Sequence, residues 1–127
     1  MIHHISLNVS DFAKAKEFYS KALAPLGYSM LMEIAEWSVA GFGEAGKPDT
    51  WIHAKEGGVQ QTTHLAYAAG SKEVVDAFYS AAIAAGGKDN GKPGYRKEYK
   101  PGYYAAFVYD LDGHNIEALF MDPAVTS

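Results

Sequence analysis

The sequence predicts an α+β fold built from two successive βαβββ modules in one domain, module one over 1–58 and module two over 59–127. Three observations carry this reading. The length of 127 residues, with 48% hydrophobic and 20% charged residues, suits a single domain around one core. Two stretches of the chain repeat each other in register. Each stretch opens with the two-residue alternation of a strand and passes into the spacing of an amphipathic helix.

The repeat is the strongest of the three. His4, Phe18-Tyr19-Ser20, Ala22-Leu23-Ala24 and Gly27 recur as His64, Phe78-Tyr79-Ser80, Ala82-Ile83-Ala84 and Gly87, each 60 residues on (4 to 64, 18 to 78, 27 to 87). Alanine-rich helices resemble one another by chance. A histidine, an aromatic pair with serine, and a glycine in one register are far harder to obtain that way.

Each element follows from its residues. Ile5, Leu7 and Val9 alternate with His4, Ser6 and Asn8, as a strand requires. Ser10 or Asp11 can cap a helix whose apolar positions are Phe12, Ala15, Phe18, Tyr19, Ala22 and Leu23, and Pro25 with Gly27 ends it. The second copy has a strand around 62–68. Its helix is capped by Ser71, carries Val74, Val75, Phe78, Ala82 and Ile83 on its apolar stripe, and stops at Gly86-Gly87. Strand-like segments broken by turns follow each helix, at 28–41 and 49–54, then at 103–109 and 115–121. Gly86 to Gly102, rich in glycine and proline, reads as a long irregular loop. Gly86, Gly91 and Lys92 have phosphate-loop spacing, but Pro93 stands where a Ser or Thr must hold magnesium, and no strand-to-helix context surrounds them.

Composition excludes several functions. A net charge of −4 leaves no basic footprint for nucleic acid or an anionic membrane. With no cysteine there are no disulfides, thiolate metal sites or cysteine nucleophile. Neither a membrane-length apolar run nor a basic, then apolar leader is evident, so a cytoplasmic location is expected.

Strand parity then singles out three residues. Ile5, Leu65 and Ile116 are expected against the helices, which sends His4, His64 and Glu117 to the opposite, uncovered face. Two imidazoles and a carboxylate suit a divalent transition metal with open coordination positions, able to polarise a substrate oxygen or activate water. His3, His53 and His114, taken singly, read as ordinary surface or hydrogen-bonded histidines.

The opening His4-Ile-Ser-Leu-Asn-Val-Ser-Asp11 with Phe18-Tyr19, the mid-chain His64-Leu-Ala-Tyr67, and the closing Asp110-Leu-Asp-Gly-His-Asn-Ile-Glu-Ala118 resemble the vicinal oxygen chelate superfamily. That group includes glyoxalase I, extradiol dioxygenases, fosfomycin-resistance transferases and bleomycin-resistance proteins. The resemblance implies a cupped mixed sheet with helices on its outer face. It implies a divalent metal (Zn, Ni, Mn or Fe) on His4, His64 and Glu117, with Glu117 also catalytic. It further implies a small-molecule substrate and a homodimer, isologous pairing being the commonest arrangement. The glyoxalase (lactoylglutathione lyase-related) branch, acting on a small oxygen-rich or conjugated substrate, is the leading expectation. An extradiol-dioxygenase-type oxidoreductase and a ligand-sequestering resistance-type protein are the alternatives.

Departures from the family pattern bear on this choice. Glyoxalase-like enzymes place a further carboxylate or Gln on the last strand of module one. An ungapped match of Gly46 to Gly113 puts Thr50 opposite Glu117, and a one-residue slip puts Trp51 there; His53 is a third candidate. Phe107 stands where extradiol enzymes usually have Tyr, and Leu111 replaces the usual Pro. Trp51, His53, Arg96, Tyr99, Tyr103 and Phe107 are the candidate substrate contacts, with Arg96 suited to an anionic group. Tyr103 and Tyr104 must face opposite ways, so at most one reaches the site.

Overall fold

The computed structural model describes residues 1–127. Module one runs β1 (Ile5–Val9), α1 (Phe12–Ala22), β2 (Ser29–Ile34), β3 (Val39–Glu44) and β4 (Lys47–Ala54). Module two runs β5 (His64–Ala68), α2 (Lys72–Ala84), β6 (Lys88–Tyr95), β7 (Tyr103–Tyr109) and β8 (Asn115–Met121). The result is two four-stranded mixed sheets and two helices, ordered β1-β4-β3-β2 and β5-β8-β7-β6. The first strand of each module lies parallel to its last, and the other pairs are antiparallel.

The caps fall where the side chains dictate. Asp11 accepts the backbone N–H of Lys14 at 3.0 Å and Ser71 accepts that of Val74 at 3.2 Å, each satisfying a donor of the first helical turn. After α1, Gly27 adopts φ 87° and turns the chain towards β2; after α2, Gly86 does the same at φ 105°. The helices pack on each other and on one face of the sheets. Phe18, Tyr19, Phe42 and Ile52 from module one meet Val75, Phe78, Val108 and Ile116 from module two in one buried cluster.

The expected parity holds, in graded form. Ile116 is fully buried, whereas Ile5 and Leu65 are only partly buried against the same core. Both lie on β1 and β5, each of which pairs on one side only, so no neighbouring strand shields the other side.

One expectation is corrected. Much of Gly86 to Gly102 is regular: Lys88–Tyr95 forms β6, paired with β7 through two register irregularities around Gly91. Its glycines and Pro93 disguised it. On an edge strand a missing N–H can face away from the ladder, and bulges absorb glycine without breaking the pairing.

Polar bonds tie the modules together. His114 accepts the Thr63 N–H on Nδ1 at 3.0 Å, which leaves Nε2 to donate to the Asn8 carbonyl at 2.8 Å. The Tyr19 hydroxyl donates to Asp110 at 2.5 Å, and its burial together with that carboxylate raises its pKa well above the ordinary tyrosine value. His114 is thus hydrogen-bonded on both ring nitrogens, as expected for it taken singly. No helix is long and apolar enough to cross a membrane.

Candidate metal and substrate site

β5 and β8 lie side by side with Ala66 opposite Glu117 and His64 opposite Asn115. Glu117 points to the face away from the helices, as parity requires, yet it is only 2% exposed. Two side chains cover it. His64 Nε2 lies 2.8 Å from Oε1, and the Tyr103 hydroxyl donates to Oε2. Burial, and then the bond to Glu117, push the Tyr103 pKa up to about 12. The His64 side chain is 52% exposed and open to a ligand.

Around His64 is a cavity of about 420 Å³ lined by Asn90, Gly91, Arg96, Tyr99, Phe107 and Asn115. Phe107 sits opposite Glu117 in the β7–β8 register, with the His64 ring 6.2 Å from its own. The Arg96 guanidinium lies 5.4 Å from the centre of the same Phe107 ring and donates to the carbonyls of Gly94 (2.9 Å) and Lys92 (2.7 Å). Two of its five donors thus hold β6 in its bulged path. Tyr99 meets Tyr103 edge to face at 5.3 Å. Tyr104, on the opposite face, donates to Asp76 of α2.

Of the expected metal ligands, the chain brings two together. Ligand atoms about 2.0–2.2 Å from a metal, at tetrahedral or octahedral angles, lie roughly 3 Å from each other, so the 2.8 Å His64–Glu117 contact fits two neighbouring ligands. His4 lies elsewhere, in front of β1. Its Nδ1 is 2.8 Å from that of His3, and it lines a separate cavity of about 280 Å³ with Tyr28, Asp49, Leu65 and Tyr67. Within one chain no three His, Asp or Glu side chains are grouped to hold a metal.

The register also decides the open question on β4. Ser6 pairs with Trp51 just as Ala66, its repeat partner, pairs with Glu117. Trp51, not Thr50, is the counterpart of Glu117; Thr50 faces the core, 1% exposed, bonded to Asp49 and Tyr67. Trp51 and His53 lie on the sheet of module one, whereas Arg96, Tyr99, Tyr103 and Phe107 gather near His64. The bond from Tyr103 to Glu117 was the missed feature. The parity of β7 held the signal, since Tyr103 shares a face with Phe107 and hence with Glu117.

Residues 1–118 match the Glyoxalase/Bleomycin resistance protein/Dioxygenase superfamily. Among solved structures, a glyoxalase/bleomycin resistance protein from Albidiferax ferrireducens is 31% identical with TM-score 0.78, over 92% of this chain and 96% of that one. A glyoxalase-related enzyme from Fulvimarina pelagi is 19% identical with TM-score 0.73, over 100% and 97%. A FosX fosfomycin resistance protein from Listeria monocytogenes, complexed with Mn(II) and a dihydroxypropylphosphonic acid, is 21% identical with TM-score 0.68, over 94% and 88%. No curated protein matches. The match along nearly the whole chain, on the fold and paired modules just described, shows that this protein belongs to the Glyoxalase/Bleomycin resistance protein/Dioxygenase superfamily.

Proposed function

We propose that the protein is a metal-dependent, glyoxalase-like enzyme acting on a small oxygen-rich substrate, with His64 and Glu117 of one copy and His4 of a second copy as metal ligands. The observation that carries this reading is the His64–Glu117 pair, an open imidazole against a buried carboxylate beside a cavity. When bound, a divalent metal would polarise adjacent substrate oxygens. Glu117 is then the group placed to accept a proton, and Tyr103 fixes its far oxygen. Phe107 and Tyr99 wall the cavity, while Arg96 has donors left for an anionic substrate group.

The dimer is proposed because His4 is apart from the pair within one chain, while β1 and β5 each keep a free edge. An isologous dimer can bring module one of one copy to module two of the other, twice over. The test mixes two variants. His4→Ala and His64→Ala proteins, each expected to bind no zinc tightly by calorimetry, are unfolded together and refolded. A shared site regenerates one intact site in every mixed dimer, about a quarter of all sites at random pairing. No recovery on mixing, or a monomer mass by light scattering at micromolar concentration, removes the shared site. Metal-free protein on purification that also rejects added Zn(II), Ni(II), Mn(II) and Fe(II) removes the enzyme reading.

A further inference from the structure

The two modules fill one equivalent pair of positions differently. In module two, Phe107 on β7 faces Glu117 on β8. At the equivalent pair in module one, Gly41 on β3 faces Trp51 on β4. The indole lies against the glycine backbone: a Cβ built on Gly41 would stand 2.9 Å from two of its ring carbons. Trp51 is flanked by Thr50 and Ile52, both turned into the core, so its ring is on the face away from the helices and is half-buried. Where the repeat would place a carboxylate, module one presents a flat aromatic surface seated on a neighbouring strand.

We infer that Trp51 is a stacking platform that selects substrates with a planar, conjugated body. This rests on the metal reading above, in which module one of one copy closes over the His64–Glu117 pair of the other. The substrate's adjacent oxygens would reach that pair while its π-face lies on the indole. Two features make the platform specific. Glycine at position 41 leaves room for the ring to lie flat, and the seat on backbone holds it there. An aromatic face prefers a planar partner and gives an aliphatic chelator no comparable contact.

The test uses nitrocatechol, planar with adjacent oxygens, and glycolate, which has adjacent oxygens and no ring. The chain has two tryptophans, so Trp37→Phe leaves Trp51 as sole reporter. In the zinc-loaded protein, nitrocatechol should quench Trp51 emission saturably. Measured by calorimetry, Trp51→Ala should weaken nitrocatechol about tenfold, as expected for one lost stacking contact, and leave glycolate and zinc affinity unchanged. Gly41→Ala, which displaces the indole but keeps it, should weaken nitrocatechol alone. Unchanged nitrocatechol affinity in both variants overturns the inference, as does an equal loss for both probes. The failures are distinguishable: protein that rejects zinc but still shows saturable quenching by nitrocatechol refutes the metal reading and retains the platform.

Discussion

The two modules share strand order, helix caps and core, yet their open faces differ. Module two carries an imidazole, a carboxylate, a tyrosine clamp on that carboxylate and an aromatic wall. Module one carries His4 against His3 and, in place of the carboxylate, Trp51 over Gly41. Residues facing the helices must fill a shared core, so the repeat persists there. Residues on the open face pack only within their own sheet, Glu117 under His64 and Tyr103, and Trp51 on Gly41, so each module can fill that face differently. The repeat is therefore kept where the two modules share a core and lost where each faces outward.

The largest expected effect tests the symmetric side of this comparison. Phe18 and Phe78 are repeat partners, both essentially fully buried in the joint core. Phe18→Ala and Phe78→Ala should each cost about 3–5 kcal/mol, with similar shifts in denaturant midpoint. A small cost for one alone would show that the core belongs mainly to the other module.

Next comes the asymmetric side. Glu117→Ala should weaken zinc binding by more than about a hundredfold, more than loss of an outer-shell partner, whereas Trp51→Ala should leave it unchanged by calorimetry. Equal effects would mean that the repeat partners are also functional partners. The smaller Tyr103→Phe change keeps the ring and removes only the donor to Glu117. It should weaken zinc about tenfold or more while the thermal midpoint moves little. A large drop in midpoint with unchanged affinity would make Tyr103 a packing residue.

The smallest effect concerns pH. Tyr67 of β5 is held near 12, chiefly by burial. An unfolded chain gives up that proton near the ordinary tyrosine value of about 10. Between those values the folded state retains a proton that the unfolded state has lost, so stability falls as pH rises. Thermal midpoints measured across that window should drop, and Tyr67→Phe should lessen the slope. An unaltered slope would assign the alkaline loss to other buried tyrosines such as Tyr19.

The residues alone specified the two modules, a cap at Ser10 or Asp11 and one at Ser71, and the face to which His64 and Glu117 point. Each depends on residues close in the chain or on a repeat visible in it, and parity along a strand needs no tertiary knowledge. The sequence also supplied the family, through motifs that keep their spacing. The tertiary structure decided the rest. Only strand register could choose Trp51 over Thr50 as the counterpart of Glu117, because one residue of slip reverses every side chain on β4. Only pairing with β7 could turn a stretch of glycine and proline into β6, since its local preference opposes a strand. And only the arrangement of the two modules could place His4 and His64 in different cavities, because no pattern within either module encodes how the two meet.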